Sequence, residues 1–394
     1  MKILYLTTVL PRKRKTGGEI ASQCFIDALS QSGHSVVVVG YQRKNDAIEK
    51  ICSEISVDER YIETNKNKLY PTIAWMMLGL LKNLPYSSAK YYSENYLRKI
   101  EALLASDNYD VVIVDHAQLG WLANLINNQA KLIFIAHNVE HELYAAQAVN
   151  TNNHLAKSIY IRESHLIKGL ENQLANKAQE VWTFTSHDFS YFSSVKSKTR
   201  VFDLPSSLMA LPVRLPVVKK CDVGIIGTWT WKANSLGLEW FFQAVYPHLP
   251  ADLSIQVAGK GAEWLDGRYS NVKYCGFVPS AQEFMEQAKV IAIPSISGSG
   301  VQIKTLDAIA SGSPVVATPI AMRGICGYPS CVSVAERPED FANNLIKLVP
   351  TAQNICWDGI AWSQSRREKF FAAVDEAIDA HQTEKSKDSD LALA

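Results

Sequence analysis

Short apolar runs alternate with helical stretches through the first half of this 394-residue chain. The runs KILYLTTVL, SVVVVG, DVVIVD, KLIFIA and EVWTFT are typical of strands buried on both faces of a parallel sheet. After the first run, apolar residues recur at helical spacing from Ile20 to Leu29, which predicts an amphipathic helix ended by Gly33. This alternation predicts a doubly wound α/β domain over residues 1–205.

The pattern is interrupted and then starts again. Residues 206–220 lie in a stretch, LPSSLMALPVRLPVVKK, that has three prolines and no helical rhythm, so we predict an inter-domain linker there. New apolar runs (DVGIIG, LSIQVAG, VKYCGFV, VIAIPS, PVVATP and CVSVAE) predict a second Rossmann-like domain over residues 221–359. A polar helix is expected over 360–382, packing back on the N-terminal domain, followed by a charged tail, 383–394, that composition predicts to be disordered.

Two domains of this kind predict where a ligand binds. Open α/β sheets take their ligands outside the carboxyl ends of the strands. With two such sheets joined by a linker, we expect two domains facing across a cleft, with the site in that cleft.

Composition excludes several function classes. The formal net charge of +1 argues against a nucleic-acid binder driven by bulk electrostatics. The seven cysteines are scattered and complete no zinc site, so a reduced, cytoplasmic location is expected. Met1 leads into a strand-like run too short for a secretory signal. The longest apolar run, Thr72–Leu81, is about half of the ~20 residues that a spanning helix needs, and we interpret it as a buried core helix.

The stretch GSGVQIKTLDAIASGSPVVATP, residues 298–319, predicts an anion site. Glycines at 298 and 300 allow backbone amides to approach an anion, and the following helix adds unpaired amides and a positive dipole end. Lys304 lies in the first helical turn, where a cation is unfavourable unless an anion accompanies it. Asp307 lies three residues later, so the alternative is a solvated ion pair with Lys304.

Other polar residues follow predicted strands in the first half. His137 and His116 come directly after two strands, where a histidine can bind a sugar hydroxyl or move a proton; each could instead be a satisfied structural histidine. Gly17, Gly18 and Glu19 open the first helix and form either an anion-binding loop or an ordinary turn.

These motifs together resemble those of retaining GT-B glycosyltransferases of family four. The resemblance rests on Gly17-Gly18, HNVE at 137–140, GTWTWKANSLGLEWF at 227–241, VAGKG at 257–261, YCGFV at 274–278, the GSG turn with its lysine, and MRGI at 322–325. They occur in the family's order over nearly the whole chain. The family has two glutamates eight positions apart around the lysine, whereas this chain has Ser299 and Asp307.

The resemblance implies roles for individual residues. Lys304 would neutralise the donor's diphosphate, and Asp307 would contact the nucleotide ribose. His137 and Lys304 would be the catalytic residues, and the loop at Gly17–Glu19, with His116, would touch phosphate or acceptor. The remaining donor contacts would come from Gly298, Ser299, Gly300, Val301, Lys232 and Arg323.

The function implied is transfer of a sugar, with retention, from a nucleotide-sugar donor to a saccharide or lipid-linked acceptor in polysaccharide or glycan biosynthesis. The amides and Lys304 would balance the charge of the leaving diphosphate, so neither a metal nor a cofactor is expected. Two alternatives keep the fold: a nucleotide-sugar-binding protein without turnover, which Ser299 favours, and a sugar-nucleotide epimerase.

Two further features suggest other partners. HNVEH at 137–141 matches an inverted zinc-protease signature, but its first histidine ends a strand and so cannot share a helix with the second. Arg12-Lys13-Arg14-Lys15 and the apolar run after Thr72 could together contact an anionic membrane at its inner face.

Overall fold

The computed structural model describes residues 1–44, 51–62, 69–126, 130–195, 198–208, 217–352 and 355–392. The chain forms two compact units. Unit 1 consists of Met1–Phe202 with Phe371–Ala394, and unit 2 consists of Asp203–Phe370. Each unit contains its own parallel sheet with helices connecting the strands.

The sheet of unit 1 has seven strands in the order β3-β2-β1-β4-β5-β6-β7. All neighbouring strands are parallel, and Leu4 of the central strand lies opposite Val37 on one side and Val112 on the other. The strands are β1 Lys2–Val9, β2 Ser35–Arg43, β3 Glu54–Arg60, β4 Val111–Asp115, β5 Lys131–Ile135, β6 Glu180–Thr183 and β7 Lys198–Val201.

Helices connect these strands. The first helix begins after Thr16, whose side chain accepts a hydrogen bond from the Glu19 amide and so satisfies one of its free amides. The helices of unit 1 are α1 Gly17–Gln31, α2 Leu69–Leu81, α3 Tyr86–Ala89, α4 Glu94–Ser106, α5 Glu140–Asn150, α6 His154–Lys177 and α7 Ser186–Ser194.

The sheet of unit 2 has six parallel strands in the order β10-β9-β8-β11-β12-β13. Its strands are β8 Cys221–Ile226, β9 Ile255–Ala258, β10 Val272–Gly276, β11 Ala288–Ile293, β12 Val315–Ala317 and β13 Val332–Val334. Its helices are α8 Lys232–Trp240, which continues as a π-helix over Phe241–Val245, then α9 Ala281–Gln287, α10 Ile303–Ala310 and α11 Pro338–Leu348. The last helix, α12 Trp357–Ala392, starts in unit 2 and ends in unit 1.

The predicted fold class is confirmed, because both halves are doubly wound parallel α/β units. The continuous apolar runs are buried on both faces: Ile3 to Leu6 of β1 and Val223 and Ile225 of β8 have no exposed surface. Strands β3 and β7 were not predicted. They lie at the two edges of the unit 1 sheet, and their polar sequences EISVDER and KTRV lack the apolar signature of the inner strands.

Two predicted segments differ in the structure. Residues 383–392 continue α12, although their charge predicts disorder; they contain neither glycine nor proline and include several good helix formers. The run Thr72–Leu81 is helical as expected, but most of its large side chains are exposed, so the prediction of a buried core helix is wrong.

The predicted linker is described only in part, since residues 209–216 lie outside the described part of the chain. Residues 393–394 of the predicted tail lie outside it as well. Among the described helices, none combines the length and the apolar character required to cross a bilayer.

Candidate functional site

Each sheet has one point where the strand order reverses, and these points locate the candidate sites. In unit 2 the reversal lies between β8 and β11, whose carboxyl ends lead to Gly227 and to the loop 294–302. In unit 1 it lies between β1 and β4, and β4 ends at Asp115. Crevices at such reversals are the usual ligand sites of open α/β sheets. The predicted glycine turn and His116 therefore lie where a ligand is expected.

The predicted glycine turn lies between β11 and α10. Gly298 and Gly300 adopt φ values of 119° and 69°, which favour glycine over residues with a Cβ. Arg323 reaches back from beyond β12 and donates a hydrogen bond to the Gly298 carbonyl, which fixes the turn. In the described part of the chain, the amides of Gly300 and Val301 donate no hydrogen bond, so both remain available to an anion.

Lys304 lies in the first turn of α10 and is partly buried. Its ammonium donates to Asn234 Oδ1 of α8 at 3.0 Å and lies 5.9 Å from the centre of the Trp229 ring. Burial lowers the pKa of Lys304 to about 8. Within the described residues no carboxylate pairs with it, Asp307 included, so the predicted alternative of a Lys304–Asp307 ion pair is wrong. A partly desolvated cation beside free amides is suited to a bound anion.

Asp307 points away from Lys304. It is buried, and its carboxylate accepts hydrogen bonds from the Ser206 hydroxyl at 2.8 Å, the Ser207 amide at 2.7 Å and the Ser207 hydroxyl at 2.7 Å. Burial raises the pKa of Asp307, and the bonds from Ser207 and Ser206 oppose that rise. This carboxylate therefore connects α10 to the start of unit 2, a contact that the sequence did not indicate.

We expect Asp307→Ala to lower the free energy of unfolding by about 2 kcal/mol or more, because it leaves one buried and two partly buried donors without an acceptor. Asp307→Asn, which keeps one acceptor oxygen, should lose less. Urea unfolding of both variants measures the difference. An Asp307→Ala protein as stable as the parent, with only its ligand affinity reduced, would instead indicate that Asp307 acts on a ligand alone.

Two other predicted donor residues, Lys232 and Ser299, have separate positions. Lys232 is exposed and is the first residue of α8. Ser299 is partly buried in the glycine turn. Gln302 precedes α10 but does not cap it, because its side chain accepts a hydrogen bond from Ser295 at 2.7 Å. The amino end of α10 therefore has no side-chain cap, which leaves it open to an anion.

In unit 1 the predicted His137 contacts Asp115, which the sequence analysis did not single out. His137 Nε2 lies 2.6 Å from Asp115 Oδ1, and the Tyr5 hydroxyl donates to Asp115 Oδ2 at 2.9 Å. Asp115 is fully buried, and burial alone would raise its pKa, but the charges of His116 and His137 and the hydrogen bonds from His137 and Ser22 lower it to about 2. Because a carboxylate only accepts, His137 donates through Nε2, which leaves Nδ1 for another partner.

His116 stacks on His137. The ring centres are 3.8 Å apart with the planes 22° from parallel. Burial first, and then the neighbouring His137, lower the pKa of His116 to about 3. A Cβ at Gly18 would lie 3.2 Å from His116 Cε1 and 3.9 Å from His137 Nδ1, so the glycine lets α1 begin against both rings. The structure thus brings three predicted residues of unit 1 together.

The other residues of the predicted first loop differ in exposure. Gly17 is exposed. Glu19 is buried, and its carboxylate forms an ion pair with Arg43 and accepts a hydrogen bond from the Thr16 hydroxyl at 2.8 Å. Glu19 therefore holds the start of α1 against β2, and its carboxylate is occupied by contacts within the protein.

Glu140 is a second acidic group near His137 that the sequence analysis quoted but did not assign. It begins α5, and its side chain interacts with Gln118. Burial raises its pKa to about 7, and the nearby Glu171 adds to the rise. The position of Glu140 shortly after β5 could have identified it from the sequence, because polar residues that follow neighbouring parallel strands lie at the same end of the sheet.

The zinc-protease motif is not assembled. His137 pairs with Asp115, whereas His141 Nδ1 lies 2.8 Å from Glu171 Oε2, so the two histidines have different partners. Asp115, His116 and His137 do offer ligand atoms within 4.8 Å of one another, a spacing that a metal ion could use. The 2.6 Å contact between His137 and Asp115 is also that of a charge-assisted hydrogen bond.

These two groups can perform different chemistry. Free amides, the start of α10 and Lys304 can stabilise growing negative charge on a phosphate leaving group. A histidine oriented by a buried carboxylate can accept or donate a proton.

Comparison with known proteins agrees with this chemistry. Residues 220–350 match the family model described as Glycosyl transferases group 1. An uncharacterized 44.6 kDa protein in the cps region of Klebsiella pneumoniae is 24% identical over 406 residues, which cover 95% of this chain and 98% of that protein.

Solved structures share the fold over the whole chain. Sucrose-phosphate synthase from Thermosynechococcus elongatus superimposes with a TM-score of 0.65 at 15% identity, covering 100% of both chains. HepE from Anabaena, solved in complex with UDP-glucose, gives a TM-score of 0.58 at 13% identity, covering 96% of this chain and 100% of that one. The match to the glycosyl transferases group 1 model thus covers residues 220–350, and the chain has the two Rossmann-like domains of the GT-B fold.

Proposed function

We propose that this protein is a glycosyltransferase that moves a sugar from a nucleotide-sugar donor to a saccharide or lipid-linked saccharide acceptor. The observation that carries the proposal is the group formed by Lys304, the uncapped start of α10 and the free amides of Gly300 and Val301. It lies at the strand-order reversal of unit 2, within the residues that match the family model. HepE, which has the same fold, was solved with UDP-glucose, and this supports the donor class.

The donor's diphosphate would bind to this group. Breaking the bond between the sugar and the nucleotide leaves negative charge on the diphosphate, and preorganised donors stabilise that charge without rearranging. Lys304, Gly298, Ser299, Gly300 and Val301 would contact the phosphates. Lys232 and Arg323 would contribute further positive charge at the same edge of the sheet.

Unit 1 would provide the groups near the acceptor. His137 would contact the transferred sugar or the acceptor hydroxyl through Nδ1, because Nε2 is held by Asp115. The loop at Gly17–Gly18 begins beside the same ring. We assign His116 to the same acceptor region.

The finer parts of the proposal follow the family resemblance. We propose transfer of a hexose, with retention at the anomeric carbon, in polysaccharide or glycan biosynthesis. Lys304 and the α10 amides would supply the positive charge that a metal supplies in other enzymes, so neither a metal nor a cofactor is required. The protein would act in the cytoplasm, in contact with the inner face of an anionic membrane.

A thermal-shift screen of nucleotide sugars, followed by transfer from a labelled donor, tests this function. One nucleotide class should raise the unfolding temperature, because a ligand present at 100 times its Kd stabilises by about 2.7 kcal/mol. Label should then appear on a saccharide acceptor, equally with and without a chelator, and NMR of the product reports the anomer.

The same assay separates the alternatives. A pure binding protein would give a thermal shift with no transfer or hydrolysis, and a donor converted without any acceptor would indicate an epimerase. Loss of transfer on chelation would show that a metal is needed. If no nucleotide sugar shifts the unfolding temperature and no label moves, the proposed function is wrong.

A further inference from the structure

The outward face of helix α2 is unusually apolar. Its thirteen residues, LYPTIAWMMLGLL, include no charged side chain. Five large side chains at helical spacing form one exposed stripe: Ile73 (55% exposed), Met76 (43%), Met77 (54%), Leu80 (61%) and Leu81 (80%). We call these five residues the α2 stripe. A contiguous exposed apolar patch on a folded protein marks an interaction surface.

The opposite side of α2 is anchored to unit 1, which fixes the direction of the stripe. Gly79 is buried, and a Cβ there would lie 3.0 Å from the Leu84 carbonyl and 3.5 Å from Ala89 Cβ. Arg162 of α6 donates to the Gly79 carbonyl at 3.1 Å. The ring of Trp75 lies 6.3 Å from that of Tyr86. The helix is therefore held by the side that carries Trp75 and Gly79, and the stripe faces outward.

The sequence segment that contains α2 is basic. Lys66 and Lys68 precede it in the sequence, Lys82 and Lys90 follow it, and no acidic residue occurs between Glu63 and Glu94. The Lys90 ammonium lies 6.0 Å from the centre of the Trp75 ring. Lys82 lies 3.7 Å from Glu94, and both side chains are about half exposed. An exposed apolar helix face on a segment that also carries lysines and aromatic rings is the composition of a helix that lies in a membrane interface.

We propose that the α2 stripe docks unit 1 on an anionic lipid surface, with the stripe among the acyl chains and Lys82 and Lys90 at the headgroups. This deepens the proposed function, because it names the surface by which the protein would reach a lipid-linked acceptor. Thirteen residues of helix measure about 20 Å, so α2 lies along the surface. A second copy of the chain on this face would bring lysines against lysines, which the charges disfavour.

Vesicle flotation tests the proposal with the full-length chain. The protein should float with vesicles of phosphatidylethanolamine and phosphatidylglycerol, and bind vesicles of phosphatidylcholine at least about tenfold more weakly. The double variant Met77→Gln/Leu80→Gln removes apolar area without adding charge and should lower vesicle affinity at least about tenfold. Val218→Gln changes a side chain that is 79% exposed in unit 2 and serves as the matched control, with unchanged binding.

Donor binding by the same variants separates this inference from the proposed function. Met77→Gln/Leu80→Gln should keep its thermal shift with the nucleotide sugar while losing vesicle binding. A parent protein that binds no vesicles, or that binds them equally after the double substitution, overturns the α2 proposal and leaves donor binding unaffected. A parent dimer that the double substitution converts to monomers would assign the stripe to a second copy and would also overturn it.

Discussion

Lys304→Ala should weaken binding of the nucleotide-sugar donor by about 100-fold, since truncating one partner of a buried charge-assisted pair costs about 2–5 kcal/mol. The fold should survive, because in the described residues Lys304 has no acidic partner and its main contact is the bond to Asn234. Its pKa is lowered by burial to about 8, so at neutral pH the folded protein holds a partly desolvated cation. Calorimetric titration with the donor, together with thermal unfolding, measures both quantities.

The pH dependence of donor affinity gives a second measurement of the same site. Below about pH 8 Lys304 is already charged in the free protein, so affinity should change little. Above it, binding must take up a proton, because a bound diphosphate favours the charged form and raises the lysine pKa. Affinity should therefore fall as the pH rises above about 8, and Lys304→Ala should lack this fall.

Lys289→Ala is the matched control in the same unit. Lys289 lies on β11, and its ammonium is 2.8 Å from Asp222 Oδ1 near the start of β8. This pair is at the amino ends of the strands, whereas the proposed diphosphate site is at their carboxyl ends. Its removal should leave donor affinity unchanged within about twofold, as expected for a pair that touches no ligand. Equal donor affinity in Lys304→Ala and the parent would contradict the proposed diphosphate site.

The inner strands of both sheets were predicted correctly because strands buried on both faces have a recognisable apolar composition. Strands such as β1 are covered on both faces, so apolar residues follow one another without a break from Ile3 to Leu6, and the run lacks the spacing of an amphipathic helix. Edge strand β3 pairs only with β2, and its exposed positions carry charge, so its composition resembled a loop. For helix α2 the error was the reverse. Its apolar composition predicted a buried helix, but composition alone does not show whether other parts of the protein cover the side chains.

The candidate site was predicted in part for a similar reason. Lys304, Gly298 and Gly300 follow one another along the chain, so the turn and its lysine could be recognised together. The partners of Asp307 could not, because Ser207 is 100 residues away in sequence and lies in the predicted linker. Spacing suggested that Asp307 would face Lys304, but three hydrogen bonds direct it elsewhere.

His137 was predicted from its position after β5, whereas its partner Asp115 was overlooked at the end of an apolar run. Parallel strands β4 and β5 pair in register, with Asp115 opposite Ile135, so the residue two positions further along reaches the carboxylate. Tyr5 completes the contact from β1. A search for polar residues at the ends of adjacent strands would have found Asp115.

His137→Ala should reduce turnover about 100-fold while the donor Kd changes by less than about threefold. General acid–base groups contribute about 10²–10⁴ to rate, and His137 belongs to unit 1, whereas the proposed diphosphate contacts belong to unit 2. Steady-state kinetics with saturating donor and acceptor, combined with donor titration, separates the two effects. His187→Ala is the control, because His187 is an exposed histidine of the same unit that pairs with Glu142.

Asp115→Asn tests whether the carboxylate positions His137. The amide keeps the shape of the carboxylate but loses its charge, so it no longer selects the Nε2–H form of the imidazole. We expect turnover to fall about tenfold or more, with a changed pH–rate profile and an unchanged donor Kd. Tyr5→Phe, which removes one donor to the same carboxylate, should have a smaller effect in the same direction. Full turnover in His137→Ala would remove the imidazole from the mechanism, and an unaltered pH–rate profile in Asp115→Asn would reduce Asp115 to a structural residue.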